Sequence, residues 1–159
     1  MYIIYMKVLW TDGSALPNPG KGGFAVIEQI SNRKGEPVVL GREENSTNIR
    51  MEGIAMIEAI KYAGEEGCEI HSDSEFWINV LTKWAPSWAI KGWRKSGGEI
   101  KNLDIVKPLF ELYQRYPVEL VWVRGHAGRR FNEMADYWAR KARRGAELSG
   151  EKKDGKIEA

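Results

Sequence analysis

The hydrophobic rhythm of this chain changes part-way along, and that change limits the folds open to it. Near the N-terminus come three short runs with strand character: Lys7–Asp12 (KVLWTD), Gly23–Ile30 (GFAVIEQI) and Glu36–Gly41 (EPVVLG). Their connections, TDGSALPNPGKGG and SNRKG, are rich in turn residues, which predicts three antiparallel strands. Helices and strands then alternate. NSTNIRMEGIAMIEAIKYAGEEG reads as a helix: Ser46 or Thr47 can cap it, Ile49, Ile54, Met56, Ile57 and Ile60 mark an apolar face, and Gly67 can end it. Cys68–Asp73 is a short strand, followed by a helix from Ser74 to about Lys83. After the Trp-rich stretch WAPSWAIKGWRKSGG comes a helix over Asn102–Tyr116, stopped by Pro117. Val118–Val123 is a strand and Asn132–Arg144 a last amphipathic helix. Such alternation implies parallel pairing through right-handed crossovers. The expected fold is α/β, a mixed sheet with helices on its faces.

The 159 residues make one domain, enough to bury roughly 70% of the unfolded surface. We place that domain at 1–145 and expect the polar tail 146–159 to be disordered. MYIIYMKVLW has neither a basic start nor a cleavage site, so no signal peptide is expected, and no run approaches a membrane span. A single cysteine, Cys68, excludes an intrachain disulfide. These features point to a cytoplasmic monomer without membrane contact. The net charge of +2 hides an asymmetry: residues 1–82 hold 7 Lys+Arg and 12 Asp+Glu, whereas residues 83–144 hold 14 and 6. An acidic half joined to a basic half suits a polyanionic partner, although an unevenly charged solvated surface would look the same.

Four acids occupy telling places. Asp12 ends the first strand, Glu52 lies one turn inside the first helix, Asp73 ends the fourth strand and Asp136 is inside the last helix. If strands one and four are neighbours, Asp12 and Asp73 meet at one sheet edge, and Glu52 and Asp136 can point there from helices. Each has an ordinary alternative: a turn residue for Asp12, a solvated acid for Glu52, a cap for Asp73, a first-turn acid for Asp136. Together, without a paired base, they would repel and raise one another's pKa values unless cations filled the site. Oxygen-only donors suit Mg²⁺ or Mn²⁺, and two such ions can activate a water and stabilise a leaving alkoxide. His126, between glycines in RGHAG, could move protons beside such a site; His71, within the fourth strand, is taken as structural. Gly53 costs its helix about 1 kcal/mol relative to alanine. Residues 10 and 12 share one side of a strand, so if Asp12 faces the helix of Glu52, Trp10 is expected to lie over Gly53.

TDGSALPNPGKGG, STNIRMEG, SDSEF and RGHAGRRFNEMAD together resemble the type 1 ribonucleases H, the bacterial ribonuclease HI family. The resemblance spans about Lys7 to Arg144. It implies a ribonuclease H-like fold, a five-stranded mixed sheet with three antiparallel strands followed by parallel ones. It implies an endonuclease that hydrolyses the RNA strand of RNA–DNA hybrids and leaves 5′-phosphate and 3′-hydroxyl ends. Two Mg²⁺ ions per site with substrate, or Mn²⁺, would be held by Asp12, Glu52, Asp73 and Asp136, and His126 would assist water activation or product release. By the same resemblance Thr47 and Asn48 hold a DNA phosphate and Asn18 reaches the minor groove. The segment Lys83–Lys101, with Trp84, Trp88, Lys91, Trp93 and Arg94, would be a basic protrusion gripping the DNA strand. The TDGS loop is then the first hairpin and not a nucleotide P-loop, since no GK[ST] follows and a strand does. Ile49, Gly53, Glu75, Ala89 and Ile90 depart from the family pattern, and CEIHSD is shorter than usual. Competing readings are an integrase-like core, a non-catalytic hybrid-binding module and a structural domain. The first would lack the RME helix and the Trp-rich segment, and the second would have lost an acid.

Overall fold

Nothing in KVLWTDGSAL interrupts an extended chain until Pro17, and the first strand runs past Asp12 to Leu16. In this computed structural model, which describes residues 6–125 and 129–148 and the backbone of 153–154 and 157–158, β1 (Lys7–Leu16), β2 (Gly20–Gln29) and β3 (Gly35–Ser46) form the expected antiparallel meander. After α1 (Asn48–Ala63), a 3₁₀ turn leads into β4 (Cys68–Ser72), which pairs parallel with β1. The chain continues through α2 (Glu75–Asn79), a π turn (Val80–Trp84), α3 (Ala85–Ile90) and α4 (Leu103–Arg115) to β5 (Val118–Trp122), parallel to β4, and ends the domain with α5 (Arg130–Arg143). The sheet order is β3-β2-β1-β4-β5. Beyond α5, Ala146 N–H still donates to Lys141 O at 2.9 Å, and Lys153–Asp154 (β6) pairs antiparallel with Ile157–Glu158 (β7); residues 149–152, 155–156 and 159 of the tail lie outside the described residues.

Two apolar layers sandwich this sheet. On one face Leu9, Val26 and Ile70 pack with Met56 and Ile60 of α1, Trp77 of α2 and Ile105 and Leu109 of α4. On the other, Trp10, Ala25 and Ile27 pack against Phe131, Ala135 and Ala139 of α5. Thr47 caps α1, its hydroxyl accepting from the Arg50 N–H at 3.1 Å. Ser74, not Asp73, caps α2, accepting from Trp77 N–H at 3.2 Å. Asp73 is thereby left for the sheet edge.

Trp10 does not lie over Gly53. It stacks on His71, with centroids 4.2 Å apart, and tilts against Phe131 on the α5 face. The expectation failed at its premise: Leu9 and Gly13 face α1, so Asp12, with the parity of Trp10 and Ser14, leaves β1 on the α5 side. Trp77 explains Gly53. A Cβ at 53 would come within 2.5 Å of the Trp77 ring, which is fully buried and donates its Nε1–H to Ile49 O at 2.7 Å.

Gly13 allows the approach that matters most. A Cβ there would sit 2.4 Å from both Glu52 N and Met51 C, which are backbone atoms that cannot swing aside. Hydrogen therefore sets how close α1, and Glu52 with it, comes to β1. Gly13→Ala should destabilise the protein by about 1–3 kcal/mol or more, the range for overpacking a filled site. Denaturant unfolding of the two proteins measures it; a loss below a few tenths of a kcal/mol would contradict the close approach.

Candidate functional site

The β1–β4 pairing stops at Trp10–His71, so the strands part just before Asp12 and Asp73 and leave a notch at the carboxyl ends of two parallel neighbours. Sheet proteins place ligands at such notches. Asp12 is therefore at the edge of the β1–β4 pair, although β1 itself continues. Glu52 enters from the second turn of α1. One carboxylate oxygen from each of Asp12, Glu52 and Asp73 lies within 4.8 Å of the others. Gly125 leaves room beside Asp73, since a Cβ there would come within 3.0 Å of its Oδ2. Asp136 lines the same cavity of about 240 Å³ but stands apart from that trio, paired with Arg140 Nη2 at 3.1 Å. The structure thus joins three of the four acids and sets the fourth at the wall. His126 lies outside the described residues.

Electrostatics at this site runs against ionisation. Burial, the Asp73 charge and then Asp136 and Glu52 push Asp12 well above the ordinary carboxylate range, against one opposing hydrogen bond from Gly13 N–H at 2.9 Å. Burial and Asp73 push Glu52 up to about 7, opposed by a hydrogen bond with the Ser74 side chain. Asn132 also lines the cavity and is 3% exposed. Its Oδ1 has no hydrogen-bond partner among the described residues. Converging carboxylates plus an orphaned carbonyl oxygen form a hard, oxygen-only donor set that fits a divalent cation.

Other residues singled out in the sequence fall into separate groups. Asn48 Oδ1 accepts from Ala15 N–H at 2.7 Å, and Asn18 Oδ1 from Asn48 N–H at 3.1 Å, so this pair clasps the first hairpin to the start of α1 beside Thr47. Trp84 and Trp88 line an apolar cleft of about 400 Å³ between α1, α3 and α4. Trp93 packs edge-on against Phe110, with Arg94 beside it at a separate cleft. Lys91 is exposed at the end of α3. Sequence reasoning passed over Ser14, Asn132 and Arg140 in the acidic cavity and Lys95, Lys101 and Asn102 in the tryptophan cleft. Only Arg140, four residues after Asp136, had a visible signal.

Comparison with known proteins agrees with this geometry. The family model described as RNase H matches residues 5–144. A ribonuclease H of Xanthomonas campestris pv. campestris (strain 8004) is 42% identical over 133 residues, 82% of this chain and 87% of that protein. The chain belongs to the ribonuclease H family. A ribonuclease HI of Xylella fastidiosa (strain Temecula1 / ATCC 700964) is 39% identical over 140 residues, 85% of this chain and 91% of the relative. Among solved structures, LC9-RNase H1, a type 1 RNase H with the type 2 active-site motif, superposes with a TM-score of 0.72 at 30% identity, covering 94% of this chain and 78% of that one. A foamy viral protease-reverse transcriptase in complex with RNA/DNA hybrid shares the fold at 20% identity, with a TM-score of 0.73, over 90% of this chain and 21% of that one. The chain is thus an endoribonuclease of a metal-dependent family with an acidic cluster at the notch of its sheet. Among the described residues no helix is long and apolar enough to cross a membrane.

The raised carboxyl values predict an unusual pH profile for metal-free protein. Between the ordinary value of 4.5 and about 7, folded Glu52 holds a proton that the unfolded chain has released. Stability is therefore full below the unfolded value and falls as pH rises through the folded one. Thermal melting in EDTA from pH 5 to 8 should show this decline. Glu52→Gln should flatten the profile, and Mg²⁺ should raise the melting temperature most at the alkaline end. A profile unchanged by Glu52→Gln would contradict the assignment.

Proposed function

We propose that the chain hydrolyses the RNA strand of RNA–DNA hybrids with two divalent cations, Mg²⁺ in the first instance, leaving 5′-phosphate and 3′-hydroxyl ends. The observation that carries this reading is the convergence of Asp12, Glu52 and Asp73 within 4.8 Å at the edge of the sheet. Three carboxylates so close, two of them pushed toward the protonated form, constitute a site whose charge calls for cations. Membership of the ribonuclease H family supports the substrate class.

Asp12 is the most buried acid and the one that feels all three others, which suits a ligand shared between two ions. Glu52 and Asp73 flank it, and Asp136 would leave Arg140 to complete the set. When bound, the ions supply a water of lowered pKa and charge stabilisation for the departing oxyanion. His126 would take or return a proton at the edge of the cavity. Thr47 and Asn48, at the N-terminus of α1, would hold a DNA phosphate through the Thr47 hydroxyl and the Asn48 side-chain NH₂, since the Asn48 backbone N–H already donates to Asn18 Oδ1. Asn18 accepts through its Oδ1, so its amide NH₂ would be the group that reaches the minor groove. Trp84 and Trp88 would lay aromatic faces against the DNA sugars, with Lys91 and Arg94 near its phosphates. Choice of RNA over DNA as the cut strand would rest on hydrogen bonding to the ribose 2′-OH.

The test compares wild type, Asp12→Asn and His126→Ala on a labelled hybrid, on single-stranded RNA and on the all-DNA duplex, with and without Mg²⁺. Wild type should cut the RNA of the hybrid only with the cation. Asp12→Asn should lower the rate by several orders of magnitude while hybrid binding survives, and the same variant should melt higher than wild type in EDTA near pH 8, because it removes a buried charge from a like-charged cluster. His126→Ala should cost about 10²–10⁴-fold. Efficient cutting of duplex DNA, or an active Asp12→Asn, would sink the reading.

A further inference from the structure

Beside the acidic cavity lies a second cleft, of opposite sign. It holds about 450 Å³ near the end of the β1–β2 hairpin and the end of α5, and Lys21, Arg42, Arg143 and Arg144 line it with Leu16 and a single acid, Glu44. Ser14 joins the two sites. It lines the acidic cavity, and its Oγ accepts a hydrogen bond from Arg143 Nη1 at 2.5 Å. The connection is built into both elements. On β1, Asp12, Ser14 and Leu16 alternate onto the same face, and Leu16 lies about 13 Å beyond Asp12 along an extended strand. On α5, Asp136, Arg140 and Arg143 are spaced i, i+4 and i+7 and share one stripe. Asp136 and Arg140 line the acidic cavity and Arg143 the basic cleft.

These cations are in surplus. Among the described residues none of Lys21, Arg42, Arg143 and Arg144 forms a salt bridge. Lys21, Arg42 and Arg144 are exposed, and burial together with the Arg144 and Arg140 charges depresses Arg143 below its ordinary value. The charge count along the chain agrees. Residues 83–101 hold five Lys+Arg and one acid, residues 129–144 hold six and two, and the stretch between holds three of each. Each end therefore has a net of +4, so the Trp-rich segment accounts for only half of the basic character of this part of the chain, and α5 for the other half.

We propose that this cleft anchors phosphates of the strand being cut, one or two nucleotides beyond the bond held in the acidic cavity. The inference rests on the hybrid reading above and adds a second grip to it. The strand is assigned by the face of the sheet: the basic cleft continues the stripe of Asp12 and Asp136, whereas the tryptophan cleft lies over α1 and α4 on the opposite face. Guanidinium forks suit phosphate oxygens. Such contacts set register without reading sequence, so the cleft would hold the cut strand in line on the side away from the protrusion.

Hybrid binding is measured in EDTA, so that nothing is cut, across a salt series for wild type and for Arg42→Ala/Arg144→Ala. Neutral methylphosphonate linkages are placed in either flank of the RNA strand or in the DNA strand. The slope of log affinity against log salt should become shallower by about one to two units in the double variant. Neutral linkages in one RNA flank should weaken wild type and leave the double variant unaffected. An unchanged slope overturns the proposal, and so does a variant whose lost sensitivity maps to the DNA strand. Lys21→Glu, at an exposed position, should likewise weaken binding and serves if the double variant melts early; unchanged binding by a folded Lys21→Glu counts against the cleft. Wild-type cleavage of the same hybrid with Mg²⁺ is scored separately. Its absence overturns the proposed reaction, whereas cleavage with an unaltered slope overturns the cleft alone.

Discussion

Holding three carboxylates together against their own repulsion is the constraint on which the rest of this structure depends. Asp12, Glu52 and Asp73 meet within 4.8 Å, and burial and mutual repulsion push Asp12 and Glu52 toward the protonated form. Packing elsewhere must supply what the cluster costs. Gly13 removes the side chain that would keep α1 away from β1, and Gly53 admits the ring of Trp77, whose Nε1–H is satisfied by Ile49 O. The indole thereby locks α2, just after Asp73, to α1, which bears Glu52. Full burial of an aromatic this large is worth on the order of 2–3 kcal/mol, and here it holds α2, which follows Asp73, against the helix that bears Glu52.

Hydrogen bonding serves the same end at lower energy. Ser74 caps α2, so Asp73 need not, and Glu52 draws on the Ser74 side chain. Asn48 and Asn18 tie the hairpin to the first turn of α1. On the other face Trp10 stacks on His71 and Phe131, which seats β1 on α5 and brings Asp136 to the cavity wall. Asp136 meanwhile pairs with Arg140, so one acid stays out of the cluster while the other three crowd together. The site is closely packed where its charges repel most, and its fourth acid already has a partner on the same helix.

Charge is divided with comparable clarity. The acids gather at the notch between β1 and β4, and cations flank it on two sides, around the tryptophan cleft and at the end of α5. A polyanion approaching such a surface is drawn by both lobes, and the notch between them becomes accessible to it once cations offset the carboxylates.

Much of this was legible in the chain itself. The switch from strand runs to strand–helix alternation announced a mixed sheet, and TDGS, RME, SDS and the last-helix aspartate picked out the four acids, although β1 runs on past Asp12 to Leu16 and only its pairing with β4 stops just before Asp12. Several features needed the tertiary structure. That Asp12 leaves β1 toward α5, that Trp77 and not Trp10 occupies the space at Gly53, and that Asp136 stands apart on Arg140 all depend on which face each strand presents. A strand's alternation reveals that two faces exist but not which helix covers each. The basic cleft was hidden for a related reason: Lys21, Arg42, Arg143 and Arg144 come from three distant segments, and only the pairing of β1, β2 and β3 under α5 makes them neighbours. The sequence by itself determined the elements, their order and the chemical types at the site. The tertiary structure decided which of those groups face one another, because that depends on packing between residues far apart in the chain.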